Sequence, residues 1–154
     1  MITDVDIRQH MWYIEIKVDV RRQMEALMKH ITLSDGEWKI MKLLWNTCPL
    51  SLREITNSLE KETDWSRPTV HVMLKRLMDK GAVGLDKSGK IQKYYPIVEY
   101  REIAPRETES FLNRVYDGSV GMLFTALTER KKLSEKDIEE LRRILDEAEK
   151  KKGK

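Results

Sequence analysis

Three serine helix caps follow one another closely in this chain and restrict its first half to a series of short helices. The sequences SDGE at 34–37 and SLRE at 51–54 are capping boxes, in which the serine accepts from the third helical N–H and the glutamate accepts from the serine N–H. Ser66 is a third cap, and Pro68 in the following turn costs little because early helical N–H groups have no helical partner. We therefore expect a mainly α-helical fold.

The helix that begins after Ser66 is two-sided. Its apolar residues recur at helical spacing and predict a core-facing stripe made of Val70, Met73, Leu74, Leu77 and Met78. Its other side is polar and basic, with Arg67, His71, Lys75 and Arg76, and Val72 lies at the margin of that side. Gly81 stands where a helix-terminating glycine is expected.

A small β-hairpin is predicted after this helix. Residues 82–86 and 91–97 have strand character and flank the polar turn at 87–90, so that Lys87, Lys90 and Lys93 are expected at or near its tip. Residues 98–106, which lie between or beside Pro96 and Pro105, are expected to form a connector.

The positive charge of the chain is concentrated in this helix and hairpin. The net charge is +3. Residues 66–95 contain 7 Lys+Arg against 2 Asp+Glu, a local net charge of +5, while the segments on either side are close to neutral. Such a block is where a polyanion would bind. The alternative is that both are merely solvated faces of a small helical domain.

Helix, turn, helix and basic hairpin together are the plan of a winged helix-turn-helix. A recognition helix needs one apolar face against its own domain and one polar face that enters the major groove. The candidates for contacts with base edges are Arg67, Thr69, His71 and Val72. Lys75 and Arg76 are expected to hold phosphates, and the hairpin lysines Lys87, Lys90 and Lys93 are expected to contact the backbone or an adjacent minor groove.

Residues 98–154 show three further amphipathic helical patterns with few large side chains. A segment of this size buries too little surface to be stable alone, so a second copy of the chain is expected to cover it. The residues expected at that dimer interface are Phe111, Val115, Leu123, Phe124, Leu127, Ile138, Leu141 and Leu145. The alternative is that this arm packs against its own winged helix.

Several classes of protein are disfavoured by composition. The apolar runs are far shorter than a membrane helix requires, and no signal peptide is expected, which favours the cytoplasm. A single cysteine, Cys48, excludes an intrachain disulfide and a multi-thiolate metal site. No nucleophile–base pair, phosphate loop or metal motif is apparent, so we expect no enzyme and no cofactor. Trp38 and Trp45 are expected in the core rather than in an aromatic cage, and Trp65 at the helix-turn-helix corner.

Residues 1–27 are less easily interpreted. Strict alternation at 14–20 favours a strand, whereas 24–30 favour a helix. An alternative is that the native product begins at Met28 and that residues 1–27 are not part of it. The predicted organisation is therefore an N-terminal extension at 1–27, a winged-helix domain at 28–97 and a helical dimerisation domain at 98–154.

From about Ile31 to Ile144 the chain resembles the penicillinase repressor family, with the copper-responsive repressors as a related branch. The matching motifs are SDGEW at 34–38, LW at 44–45, DWS at 64–66, TV at 69–70, LKRL at 74–77, KG at 80–81, KYYP at 93–96, FLNRVY at 111–116, LS at 133–134 and EELR at 139–142. Each motif is weak alone, and the specificity of the resemblance lies in their order and spacing.

The resemblance implies a homodimeric transcriptional repressor that binds a palindromic operator. In antibiotic-responsive members, a membrane sensor-protease system leads to cleavage at an Asn-Phe bond, and the matching bond here joins Ser110 and Phe111. Serine in place of asparagine departs from the family pattern, as do His71 and Val72 in the recognition helix. The Cys-x-Cys pair of the copper-sensing branch is absent from this tail. A second functional hypothesis is a winged helix that binds protein instead of DNA.

Overall fold

The computed structural model describes residues 31–130 and 132–153. In chain order the elements are α1 (Asp35–Asn46), β1 (Leu50–Ser51), α2 (Leu52–Leu59), α3 (Arg67–Asp79), β2 (Val83–Asp86), β3 (Lys93–Pro96), α4 (Tyr100–Tyr116), α5 (Val120–Arg130) and α6 (Glu135–Lys152). The predictions for 1–27 and for a start at Met28 lie outside the described residues. The expected fold class, mainly helical with a small β wing, is confirmed.

The predicted helix caps are all present. Ser34 and Ser51 form capping boxes with Glu37 and Glu54, and the Ser66 side chain accepts from the N–H of Thr69. Each cap satisfies N–H groups that would otherwise lack a partner, which fixes where the helix begins.

One hydrophobic core lies between α1, α2, α3 and a three-stranded antiparallel sheet with the strand order β1-β3-β2. The core residues with no exposed surface include Ile40, Met41, Leu44, Ile55, Val70, Leu74 and Leu77. The two-residue strand β1, which the sequence pattern did not indicate, pairs with β3 through Leu50 opposite Tyr94 and Ser51 opposite Lys93. This pairing ties the start of α2 to the hairpin.

Three local expectations were wrong. Met78 is 37% exposed instead of buried, because it lies in the last turn of α3 at the edge of the apolar stripe. The second hairpin strand is shorter than predicted and begins at Lys93, so Ile91 is exposed and outside it. Lys93, which was expected at or near the tip, forms with Asp86 the last strand pair before the turn and is half-buried in the central strand.

The third is the connector predicted at 98–106, where α4 begins at Tyr100 and continues through Pro105. Two local features stabilise this start. The Glu99 N–H donates to the Glu102 carboxylate at 2.7 Å, and the side chain of Ile103 is buried in the core. Together they outweigh the helical hydrogen bond that Pro105 cannot donate.

The chain divides into two compact units between Glu107 and Thr108. The second contains the rest of α4, with α5 and α6. Asp117 and Gly118 both have positive φ, and they separate α4 from α5 at the glycine where the sequence pattern was interrupted. Ser134 caps α6 with Asp137 as predicted. No side chain described in α5 or α6 is buried.

Candidate nucleic-acid interface

Helix α3 presents the predicted basic face to solvent. Arg67, His71, Val72, Lys75 and Arg76 are all exposed, while Val70, Leu74 and Leu77 on the other side have no exposed surface. Within the described part of the chain, no carboxylate lies within ion-pair distance of the four cationic or titratable members of this face. The face is therefore free to take anionic partners.

Thr69 is placed differently from its neighbours. It is half-buried, and its hydroxyl lies 3.0 Å from that of Ser66, which also accepts from the Thr69 N–H. The hydroxyl can still accept or donate a second hydrogen bond, but its rotamer is tied to the cap.

The C-terminal end of α3 is anchored to the start of α1 through Lys80. Its Nζ lies 2.6 Å from Glu37 Oε2 and donates to the Thr32 carbonyl at 2.7 Å. The same carboxylate oxygen accepts from the Ser34 N–H at 2.8 Å. Burial raises the pKa of Glu37, but hydrogen bonds from Lys80 and Ser34 outweigh it, so its pKa lies below the usual value. Glu37 therefore carries its charge while only 2% exposed.

The other end of α3 is wedged by Trp65, as expected. A side chain at Gly36 would approach the Trp65 ring within 3.3 Å and the sulfur of Met73 within 3.0 Å, which shows how closely α1 meets this corner. The Lys39 ammonium lies 5.9 Å from the Trp65 ring centroid. The start of α3 is thus packed closely against α1.

The hairpin supplies Lys87 and Lys90 at its tip. Both are exposed, and the Ser88 N–H donates to Asp86 at 2.8 Å at the start of the turn. Gly84 lies opposite Tyr95, and a Cβ at Gly84 would fall 2.3 Å from the Tyr95 ring, so a larger residue at this position would have to displace that ring. Burial raises the pKa of Tyr95, and the charge of Asp86 adds to this shift.

Lys93 faces a carboxylate, unlike the two tip lysines. Hydrogen bonds from Ser51 lower the pKa of Glu54, and the charge of Lys93 lowers it further. Within residues 31–130 and 132–153, however, Lys93 and Glu54 form no ion pair.

A cleft of about 340 Å³ lies between the start of α2, the start of α3 and the hairpin. It is lined by Ser51, Leu52, Arg53, Arg67, Ile91 and Gln92. Arg53, Ile91 and Gln92 were not predicted as site residues, because Arg53 lies in a segment with a slight negative net charge and Ile91 was placed inside a strand. Arg53 could have been recognised from its position two residues after the Ser51 cap, because a polar residue in the first turn of a helix is commonly exposed.

The residues predicted for dimerisation are incompletely covered in the second unit. Phe111, Val115, Phe124, Leu127, Ile138 and Leu145 are exposed, and Leu123 and Leu141 are half-buried. A groove of about 250 Å³ between α5 and α6 is lined by Phe124, Leu127, Leu133, Asp137, Glu140, Leu141 and Ile144. Ser110 and Phe111 are adjacent exposed residues within α4.

Other kinds of site have little support in the described residues. Trp38 and Trp45 contact each other and Tyr100 edge-to-face, whereas Trp65 lies at the helix-turn-helix corner, so the three tryptophans form no common cage. Residues 31–130 and 132–153 contain no group of three His, Cys, Asp or Glu side chains that could hold a metal ion. No helix in those ranges is long and apolar enough to cross a membrane.

Comparisons with known proteins point to one family. The sequence profile described as "Penicillinase repressor" matches residues 33–147. The chain is 34% identical over 118 residues to the methicillin resistance regulatory protein MecI of Staphylococcus aureus, covering 77% of this chain and 96% of that protein. It is 34% identical over 115 residues to the penicillinase repressor of Bacillus licheniformis, covering 75% and 90%.

Among solved structures, the chain is similar to the solution structure of monomeric Bacillus licheniformis BlaI in complex with the blaP half-operator. The identity is 32%, the TM-score is 0.44, and the match covers 48% of this chain and 90% of that one.

Proposed function

The chain belongs to the penicillinase repressor family, whose members are transcriptional repressors and not enzymes, and we propose that it represses transcription by inserting α3 into the major groove of an operator. The observation that carries this proposal is the exposed basic face of α3. Val70, Leu74 and Leu77 on the other side are buried, and the cations of the basic face form no ion pair within the described residues.

We assign the residues of this interface by the chemistry they can perform. Arg67, Thr69, His71 and Val72 lie in the first half of α3, where a recognition helix meets base edges. Lys75 and Arg76 lie further along and are suited to phosphates, as are the exposed hairpin lysines Lys87 and Lys90. Lys93, half-buried at the start of β3, is assigned a backbone contact as well.

The proposed repressor is a homodimer that acts in the cytoplasm on a palindromic site. Exposed apolar side chains along α4, α5 and α6 support this, because a unit with no buried side chain in its last two helices gains its core from a partner copy. Two-fold symmetry then brings two copies of α3 to the half-sites of one operator.

We further propose that a membrane sensor-protease system ends repression by cutting between Ser110 and Phe111. Both residues are exposed, and the bond precedes all eight apolar residues assigned to the dimer. Cleavage there would detach those residues from the winged helix, and a monomer binds a palindrome more weakly than a dimer does. Immunoblots of cells that encode the protease should show an N-terminal fragment ending at Ser110 after induction.

Fluorescence anisotropy with a duplex from the region upstream of the chain's own gene tests DNA binding. The double variant Lys75→Glu/Arg76→Glu should bind every duplex about 100-fold more weakly at low salt, whereas His71→Ala should change the preference among sequences. The matched control, Lys150→Glu/Lys151→Glu, reverses the same charge at the end of α6 and should bind like the wild type. Absence of binding to any duplex at low salt would contradict the proposal.

A further inference from the structure

The side chains that line the cleft between α2, α3 and the hairpin include arginines and an exposed isoleucine, which packing of the hydrophobic core does not explain. Its lining includes two arginines and no carboxylate, and within the described ranges neither Arg53 nor Arg67 forms an ion pair. Both side chains are exposed.

The hairpin contributes an apolar group to the same cleft. Ile91 is 65% exposed, the largest exposed fraction among the large apolar side chains that the structure describes. It stands between Lys90 and Gln92, outside β3, so no strand pairing requires an isoleucine here.

The sheet determines that these groups lie together. Because Ser51 pairs with Lys93, the residues just before β3 lie beside the first residues of α2. Glu54, the nearest carboxylate on α2, is held by the Ser51 N–H at 2.7 Å and also faces Lys93. Glu54 is thus engaged by the Ser51 N–H, and within the described residues it forms no ion pair with Arg53.

We propose that this cleft receives one strand of the operator backbone, with Arg53 bound to a phosphate and Ile91 packed against the adjacent deoxyribose. A nucleic-acid backbone alternates an anionic phosphate with a largely apolar sugar, and the cleft offers a cation and an aliphatic side chain in that arrangement. An acidic peptide could form ion pairs with the arginines, but the isolated isoleucine would contribute less to its binding. The inference rests on the proposed DNA binding and adds two contacts to it.

The two contacts differ in how they should respond to salt. An arginine on a phosphate releases a counterion, so Arg53→Ala should weaken binding about tenfold at low salt and reduce the slope of log K against log salt by about 0.9 for each protomer. Ile91→Ala removes no charge and should weaken binding about threefold with the slope unchanged. Both effects should be equal on the upstream duplex and on an unrelated duplex of the same length, because the backbone carries no sequence information.

Anisotropy titrations over a salt series test this with the full chain. Arg53→Lys should keep the salt slope, and Lys61→Ala, which removes an exposed cation beyond the other end of α2, should bind like the wild type. The inference is overturned if Arg53→Ala and Ile91→Ala bind like the wild type while Lys75→Glu/Arg76→Glu loses binding, and the proposed function then stands. It is also overturned if Lys61→Ala loses as much as Arg53→Ala. If the wild type binds no duplex, both fail.

Discussion

The two units of the chain differ in where their apolar residues find partners. All the buried hydrophobic side chains that the structure describes lie in the first unit, and Ile103 is the last of them along the chain. The second unit has equally regular helices and caps, but its apolar side chains are half-buried or exposed. Regular amphipathic helices therefore do not imply a complete core within one chain.

The largest expected effect is the loss of stability that follows from opening a cavity in the core of the first unit. Leu74→Ala should lower the free energy of unfolding by about 2–5 kcal/mol, since Leu74 has no exposed surface. Leu145→Ala should change the stability of the monomer by less than about 0.5 kcal/mol, because Leu145 is exposed. Urea denaturation at low protein concentration measures both. Equal losses would contradict the difference between the units.

The next effect concerns the second unit as an interface. Leu127→Asp places a charge in the α5–α6 groove and should raise the dimer dissociation constant at least about 100-fold, because an unpaired carboxylate is costly to bury. Light scattering after size exclusion, over a range of concentrations, measures this. Glu129→Asp, a change that conserves charge, should leave the dimer intact. A Leu127→Asp chain that stays dimeric would contradict the assigned interface.

The third effect belongs to the first unit alone and depends on pH. The folded pKa of Glu37 lies below its ordinary value, so ionised Glu37 contributes stability above about pH 4.5 that is lost as the pH falls through the folded pKa. Lys80→Met leaves the buried carboxylate without its cation and should cost about 1–3 kcal/mol at pH 7. Thermal unfolding of wild type and Glu37→Gln between pH 7 and pH 3 tests the assignment, and the variant should lose less stability on acidification.

The smallest expected effects are the stability losses on removing one helix cap from each unit. Ser51→Ala should lower the unfolding free energy of the first unit by about 1 kcal/mol, because it removes one side of a capping box. Ser134→Ala should cost about 0.5–1 kcal/mol and should lower the stability of the dimer instead of the winged helix. Denaturation at two protein concentrations separates them, since only the dimer's stability depends on concentration. If the stability lost in Ser51→Ala depended on protein concentration, the assignment of this cap to the first unit alone would be contradicted.

Local signals predicted most of the winged helix. The caps at Ser34, Ser51 and Ser66 depend on neighbouring residues alone, and the stripe of Val70, Leu74 and Leu77 follows from helical spacing. The exposed basic face of α3 follows from the same spacing. The resemblance to the penicillinase repressor family, which was based on short motifs, is confirmed by the match of the family profile to residues 33–147.

What sequence reasoning missed depends on contacts between distant segments. The start of α4 is stabilised by Ile103 in the core, so Pro105 and Pro96 suggested a connector that is not there. Strand β1 was missed because it is only two residues long and is defined by its pairing with β3. The dimer residues and the domain boundary at 97–98 stay predictions.

The sequence by itself determined the short helices, their caps and the excess positive charge of residues 66–95, since these depend on interactions within a few residues of the chain. Only the tertiary structure decided that Arg53 and Ile91 face the same cleft as Arg67, that Lys93 faces Glu54 and that Lys80 seats α3 on Glu37. Those placements require strand pairing and helix packing between residues far apart in sequence, and no local pattern encodes which distant side chain will be the neighbour.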